Sequence, residues 1–293
     1  MSSIDPSSNN SHTAQWQRQS TWLAHLRHHK QKLQESGVDG FDLLEAMSTL
    51  AIYHKLATRK DRCQKCWHTK LYCICSQLKE VSFKPRGNEA LNVNLLILMH
   101  HKEYMSAGNS AKLLLQLFPS STELYIFGKE GDVDRLFRDI SSKHIKPILL
   151  WPGKEAVSTT DLLHLLKNES AYSQSEQHSL RSIYAIVLDG TYNQARNMYK
   201  SLKKKWGPSQ IPTAVSLKPM SESVFHRAQK NYGKAHLQHH SKDVDPVLRV
   251  STAEACGVLL HELGVADQDV VDGVIDAVRL NNDALKYSRH HLD

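Results

Sequence analysis

The sequence lacks long apolar runs. No stretch approaches the roughly 20 consecutive apolar residues that a membrane-spanning helix requires. The first ten residues contain neither a basic start nor an apolar segment, so a secretory signal is not expected. We predict a cytoplasmic protein with no membrane association, and its 40% hydrophobic residues are enough to form a globular core.

Cysteine is scarce, and negative charge is outnumbered by positive charge. The 293 residues include only five cysteines, which in a reducing compartment are expected to be thiols or metal ligands rather than disulfides. Lysine and arginine total 37 against 30 aspartate and glutamate residues, which gives a net charge of +7. A surplus of positive charge attracts polyanions, and nucleic acid is the partner class that it favours.

Four of the five cysteines form the pattern C-x2-C-x6-C-x-C. Two close pairs of thiolates can surround one tetrahedral ion, and zinc is the ion that this pattern favours, with an iron–sulfur cluster as the alternative. Four protein ligands leave no open position, so a structural rather than a catalytic site is predicted. The predicted ligands are Cys63, Cys66, Cys73 and Cys75, whereas Cys256 is expected in the core.

Hydrophobic periodicity divides the chain into three segments. Residues 1–60 are predicted to form an N-terminal extension that is polar and partly disordered to residue 12 and then helical. Residues 61–80 form the small cysteine module, and residues 90–293 form an α/β domain that ends in two helices. In that domain, apolar runs alternate with helical segments, which predicts a mostly parallel sheet with flanking helices. The predicted strands are 93–99, 124–127, 147–151, 183–188 and 211–217.

One predicted strand leads directly into a turn and a helix. The run 183–188 is apolar throughout, so the strand is expected to be central and buried. Asp189 follows at its carboxyl end, the edge where open α/β sheets bind ligands. Gly190 permits a tight turn, and Thr191 can cap the next helix. A role in forming the turn would account for Asp189 and Thr191 equally well as a catalytic role, so both roles stay open.

The order of several short motifs resembles that of the DTW-domain family, which is named after an Asp-x-Thr-Trp motif. The resemblance spans about residues 62–265 and is specific because the motifs occur in one common order. The motifs are the cysteine cluster and residues 100–103, 109–112, 151–153, 188–192 and 251–255.

The resemblance implies a fold related to the SPOUT RNA methyltransferases and an enzyme that modifies tRNA. Members of the family transfer the 3-amino-3-carboxypropyl group of S-adenosylmethionine to N3 of a tRNA uridine and release methylthioadenosine. Structural zinc, S-adenosylmethionine as cosubstrate and tRNA as partner are therefore expected. The tRNA, the uridine position and the oligomeric state stay open.

The resemblance also implies site residues. Asp189 is the candidate base or orienting group, Thr191 supports the turn, and Tyr192 stacks on a base. The implied residues for binding S-adenosylmethionine are Trp151, Pro152, Gly153, Leu188, Gly190, Ser251, Thr252 and Glu254.

The predicted RNA contacts come from two sources. The resemblance suggests Asn109 and Arg227, and a basic run after the motif adds Lys203 and Lys204. Another role stays open for the two lysines, because lysine runs usually form a solvated face. Another role also stays open for Ser251 and Glu254, which have the spacing of a capping box.

The sequence departs from the family pattern at four positions. Tyr192 stands where the motif has Trp, and His101 stands where the family usually has proline. Ser110 and Lys112 replace a threonine and an arginine. Two other functions therefore stay open, namely a SPOUT-like RNA methyltransferase and a non-catalytic zinc-containing RNA-binding protein.

Overall fold

A six-stranded sheet organises the protein. The computed structural model describes residues 7–81, 91–141, 145–153, 155–172, 182–218 and 250–290. All paired strands in the sheet are parallel, and the strand order is β2-β1-β5-β3-β6-β4. The predicted α/β class with a mostly parallel sheet is confirmed. The strands are β1 (Asn92–His100), β2 (Thr122–Phe127), β3 (Ile145–Leu150), β4 (Val157–Ser158), β5 (Ser182–Asp189) and β6 (Thr213–Ser216).

Helices connect and cover these strands. Five of the strands lie where the apolar runs predict them, and the two-residue strand β4 was not predicted because it is too short to show a period. The described helices are α1 (Ser7–Glu35), α2 (Gly40–Thr58), α3 (Ala111–Leu117), α4 (Asp132–Ile140), α5 (Thr159–Tyr172), α6 (Tyr192–Trp206), α7 (Thr252–Glu262) and α8 (Gln268–His290).

The sheet separates two hydrophobic clusters. Along β1, Leu95 and Ile97 contribute to one cluster, whereas Leu96 and Leu98 contribute to the other, because successive side chains point to opposite faces. Helices α3, α5, α7 and α8 supply the first cluster, and α4 and α6 supply the second. Burial on both faces explains why β1 and β5 are apolar without alternation.

The cysteine module packs into the first of these clusters. Cys66, Trp67 and Ile74 are buried there beside residues of β1 and α7. His68 is 1% exposed, and one of its ring nitrogens lies 3.0 Å from Oδ1 of Asn281 on α8. The module is thus fixed to the C-terminal helix of the domain.

Helix α1 begins at Ser7, earlier than the start predicted near residue 13. Within its described side chains, Trp22, Leu26 and Leu33 are half-buried and lie on one face, which accounts for their helical spacing. The ring of Trp22 stacks on His54 of α2 with centroids 3.8 Å apart. The two helices of the N-terminal extension therefore pack on each other.

Helix α2 lies over the carboxyl ends of β1 and β2. The Lys55 ammonium donates to the carbonyls of His101, Lys102 and Tyr104 at 2.8, 3.0 and 3.0 Å. Burial and the nearby positive charges lower the pKa of Lys55 to about 8. Thr49 Oγ1 accepts the backbone N–H of residue 130 at 2.9 Å.

Among the helices of the described residues, none combines the length and apolar character needed to span a bilayer.

The turn after β2 provides a test of how α2 packs. Gly128 has φ +90°, and an added Cβ would lie 2.8 and 2.9 Å from the Ser48 side chain. Gly131 has φ +76° but no neighbour within 4 Å of an added Cβ. We expect Gly131→Ala to cost about 1–2 kcal/mol of unfolding free energy from backbone strain. Gly128→Ala should cost about 1–3 kcal/mol more from overpacking against α2. Urea unfolding of both variants measures the difference, and equal losses would show that α2 does not pack here.

Candidate active site and metal centre

The four clustered cysteines lie close enough together to hold one metal ion. Their sulfur atoms all lie within 4.8 Å of one another. The Cys63–Cys75 and Cys66–Cys73 sulfur pairs are 3.6 and 3.7 Å apart. Zinc–sulfur bonds of about 2.3 Å in a tetrahedron place the sulfurs about 3.8 Å apart. Two of the sulfur pairs therefore already have the spacing that one such ion requires.

The ionisation of these thiols favours a cation between them. Burial opposes ionisation of Cys63, but backbone N–H groups of Cys66 and Lys65 lower its pKa to about 6. Burial and the neighbouring thiols raise the pKa of Cys75. Four adjacent thiolates repel one another, so a bound cation is what would allow all four to ionise together.

The second site lies where β1, β5 and β3 end side by side. Asp189 pairs with Met99 in the register of β5 and β1, and Leu150 pairs with Val187 in that of β3 and β5. The loops that follow these strands therefore start at one edge of the sheet. Trp151 lies at the same edge, because it directly follows β3 and its backbone N–H donates to the carbonyl of Val215 on the neighbouring strand β6.

The Asp189 carboxylate joins three loops at this edge. It is 2% exposed, and its Oδ2 accepts the Asn109 side-chain N–H at 2.6 Å. It also bonds to the side chain of Thr252, the first residue of α7. Asn109 Oδ1 in turn accepts the backbone N–H of Lys112 at 3.1 Å. The carboxylate thus connects the turn after β5 to the starts of α3 and α7.

Burial controls the acidity of Asp189. Removal from water raises its pKa to about 6, although the hydrogen bonds from Thr252 and Asn109 favour the charged form. The nearby Glu103 carboxylate raises it further. The group is therefore half-protonated near pH 6 but has no open face toward solvent.

Two of the helices that start at this edge, α6 and α7, have complete capping boxes. Thr191 Oγ1 accepts from the Gln194 N–H at 3.4 Å, and the Gln194 side chain accepts from the Thr191 N–H at 2.6 Å. Ser251 and Glu254 make the same reciprocal pair at 3.3 and 2.8 Å. Ser251 and Glu254 are 3% and 1% exposed, so their side chains fix the start of α7.

Aromatic rings form a stack beside Asp189. The Trp151 ring lies nearly parallel to that of Tyr192, with centroids 6.4 Å apart, and 5.1 Å from that of Tyr199. The Lys203 ammonium lies 5.0 Å from the Tyr199 ring centroid. All three rings are half-buried, so this stack combines aromatic faces with a cation at the rim of the sheet.

The loop after β1 completes the edge. An added Cβ at Gly190 would lie 3.4 Å from the His100 Cβ, so the β1 and β5 loops approach closely. Burial and the charges of Lys102 and Lys55 lower the pKa of His100 to about 4, so its ring is neutral near pH 7. The Lys102 N–H donates to His100 Nδ1 at 3.2 Å, which assigns the ring proton to Nε2.

The remaining predicted residues have various environments. Leu188 is 8% exposed and packs in the second hydrophobic cluster, so its side chain is not presented to a ligand. Pro152, Gly153, Thr191 and Lys204 are exposed, and Cys256 is buried as expected. Arg227 lies outside the described residues.

The sequence interpretation missed two features of the site. Tyr199 stacks on Trp151, and its position seven residues after Tyr192 on a helix was a signal that the two share a face. Lys55 donates hydrogen bonds to carbonyls of the loop after β1, which lie 46 to 49 residues later in the sequence. No local pattern indicates such a contact.

Fold and site together define a parallel α/β protein whose polar and aromatic groups gather at one sheet edge, next to a four-cysteine module. The DTW domain family profile matches residues 60–284, and the protein belongs to this family. The N-terminal helices lie before the matched region.

A curated relative is tRNA-uridine aminocarboxypropyltransferase 2 of Drosophila melanogaster, which is 26% identical over 146 residues. The alignment covers 49% of this chain and 50% of that protein, so the chain spans about half the length of the curated relative that it matches. No solved structure matches the chain.

Metal removal gives a direct test of the cysteine module. We expect about one zinc ion per purified chain and close to none in Cys66→Ser, with a marked fall in thermal stability, because structural metal sites contribute directly to folding. Cys256→Ala is the matched control, since that buried cysteine is not one of the four. Elemental analysis and thermal unfolding are the measurements. Equal metal content in the wild type and Cys66→Ser would contradict the assignment.

The buried carboxylate predicts a pH-dependent stability. Because the pKa of Asp189 is raised from 3.8 to about 6 in the folded state, the folded protein binds the extra proton between these values. The contribution of Asp189 to the free energy of unfolding is therefore greatest below pH 4. About 3 kcal/mol of this contribution is lost as the pH rises through 6. We expect the stability difference between the wild type and Asp189→Asn to change by this amount from pH 4 to pH 7.

Urea unfolding across that range measures the difference. Burial lowers the pKa values of His100 and His101 to about 4, so both also titrate in this window. Both proteins contain them, so their contributions to the stability difference cancel. Parallel stability curves for the two proteins would show that Asp189 is not the buried titrating group.

Proposed function

We propose that the protein transfers the 3-amino-3-carboxypropyl group of S-adenosylmethionine to N3 of a tRNA uridine. The observation that carries the proposal is the convergence of the family motifs at one sheet edge. The Asp189 turn, Trp151 and the start of α7 are distant in sequence and adjacent at the ends of parallel strands. The name of the Drosophila relative supports transfer of an aminocarboxypropyl group to a tRNA uridine.

The reaction exchanges one bond for another. The uridine N3–H releases its proton to solvent, N3 forms a bond to the γ-carbon of the transferred group, and the bond from that carbon to sulfur breaks. The sulfonium cation thereby becomes neutral methylthioadenosine. Much of the acceleration in such a transfer comes from alignment, up to roughly 7–11 kcal/mol in well-oriented systems.

The aromatic stack fits the planar groups of both substrates. Half-buried rings of Trp151, Tyr192 and Tyr199 offer stacking faces for adenine or uracil, and Lys203 adds a positive charge beside them. The uridine N3 lies on the pairing edge of its base, so the target uridine must be unpaired or extruded before it reacts. A loop uridine is therefore the expected target.

Asp189 acts in this proposal as a positioning residue. Its carboxylate already accepts bonds from Asn109 and Thr252 and is 2% exposed, so direct proton abstraction from a substrate would require these contacts to open. It holds the starts of α3 and α7 against the β5 turn, which leads directly into the helix that carries Tyr192 and Tyr199.

The buried state of Asp189 also favours a second candidate. A non-catalytic RNA-binding protein would need the same aromatic and basic surface but no accessible base. Zinc in the cysteine module would serve either function as a structural ion, because four thiolates leave no position for a substrate.

Product analysis distinguishes these functions. Purified protein is incubated with S-adenosylmethionine and unmodified tRNA, and the small-molecule products and tRNA nucleosides are identified by mass spectrometry. Methylthioadenosine together with aminocarboxypropyluridine supports the proposal. S-adenosylhomocysteine would indicate methyl transfer, and tRNA binding with neither product would indicate the non-catalytic alternative.

The role of the stack is tested at Tyr192. We expect Tyr192→Ala to lower kcat/KM roughly 5- to 150-fold, since base–aromatic stacking contributes about 1–3 kcal/mol. Tyr192→Trp, which restores the family residue, should retain activity. Tyr287→Ala removes an exposed tyrosine from α8 and is the matched control. Normal turnover by Tyr192→Ala would exclude stacking by this ring.

A further inference from the structure

Basic side chains surround the cysteine module. An open cleft of about 440 Å³ beside it is lined by Lys60, Arg62 and Lys70 together with Gln64 and two of the cysteines. Lys60 and Lys70 are exposed at its rim. Lys65, between the first two cysteines, is also exposed. Four positive charges thus lie within eleven residues of sequence, and three of them line one concave surface.

These charges continue toward the sheet edge. The pKa of Arg59 is lowered by burial and by the charge of Arg62, and that of Lys55 is lowered by burial and by the charges of Arg59 and Lys102. Arg62, Arg59, Lys55 and Lys102 therefore lie within electrostatic range of one another in that order, and Arg59 and Lys55 both donate to carbonyls of the loop after β1. We call this row the basic track, and its members are Lys60, Arg62, Lys65, Lys70, Arg59, Lys55 and Lys102.

The basic track ends at the candidate active site. Lys102 follows His100, whose Cβ approaches Gly190 of the β5 turn. The adjacent Glu103 is close enough to Asp189 to raise the pKa of that carboxyl. A chain of phosphates that follows the track would thus arrive beside the aromatic stack.

The inner part of the track is rigid. Arg59 donates to the carbonyl of Met105 at 2.7 Å, and Lys55 donates to three carbonyls of the same loop. These bonds hold like charges close together at a fixed spacing. The acidic groups that influence Lys55 and Arg59 are Glu103 and Asp61, so positive charge remains in excess along the row.

We infer that the basic track binds the sugar–phosphate backbone of the RNA substrate and leads the target nucleotide to the sheet edge. A repeated negative charge is the chemistry that a row of fixed cations recognises, and phosphate contacts position a nucleic acid without reading its bases. The inference rests on the proposed function for its choice of tRNA, and it gives the cysteine module a role in binding as well as in folding.

Neutralisation of the metal centre is the competing role for the outer lysines. Four thiolates around a divalent cation carry a net charge of −2, which nearby ammonium groups would offset. That role predicts a loss of metal when the lysines are removed. The RNA role predicts a loss of RNA affinity with the metal retained.

The test uses the full chain with its metal. The triple variant Lys60→Ala, Lys65→Ala, Lys70→Ala leaves the hydrogen-bonded Lys55, Arg59 and Arg62 in place. The control Lys30→Ala, Lys167→Ala, Lys286→Ala removes the same charge from exposed lysines of α1, α5 and α8. Fluorescence anisotropy with end-labelled, unfractionated tRNA gives Kd at several salt concentrations, and elemental analysis gives the zinc content.

We expect the track variant to bind tRNA more weakly and to show a log Kd–log salt slope smaller by about 2, roughly 0.7 for each lost phosphate contact. In the transfer assay, KM for tRNA should rise while kcat and KM for S-adenosylmethionine stay the same. The control should match the wild type in all measurements.

Two results would overturn the inference: a track variant with unchanged affinity and slope, or a control variant with the same defect. If the track variant loses zinc, the single variant Lys60→Ala, outside the cysteine segment, decides: a slope smaller by roughly 0.7 supports the RNA role, and an unchanged slope overturns it. Failure of the proposed function is separate, because it appears as absent product in the wild type, whereas tRNA affinity is measured without turnover.

Discussion

The site depends on one buried carboxylate and the two side chains that donate to it. Asp189 ends the central strand β5, while Asn109 lies just before α3 and Thr252 begins α7, 80 residues before and 63 residues after it in the chain. An isolated charge at 2% exposure would be costly, and these bonds are what make it tolerable. Because each donor also fixes a helix start, the relative placement of three loops follows from the need to satisfy this one group.

The N-terminal extension contributes to the same region from outside the family match. Helix α2 precedes residue 60, yet Lys55 and Arg59 bind the carbonyls of the loop after β1. That loop contains His100 and Glu103, which approach Gly190 and Asp189. A segment that sequence comparison treats as an accessory thus shapes one side of the edge that the family motifs define.

The fold class and much of the site could be predicted because they follow from local patterns. Unbroken apolar runs indicated buried parallel strands, and two close cysteine pairs indicated a metal module. Capping boxes at Thr191 and Ser251 follow from residue spacing alone. Burial of Asp189, the bonds of Lys55 and the stacking of Tyr199 depend on contacts between distant segments, which a single sequence does not encode in any short-range pattern.

One contact links nearly the two ends of the domain. His68 in the cysteine module meets Asn281 on α8, 213 residues later in the chain. During synthesis the partner of His68 leaves the ribosome 213 residues after His68 itself. The module can therefore collect its thiols early but reaches its final packing only after α8 has been made, and until then its apolar underside must be shielded by other means.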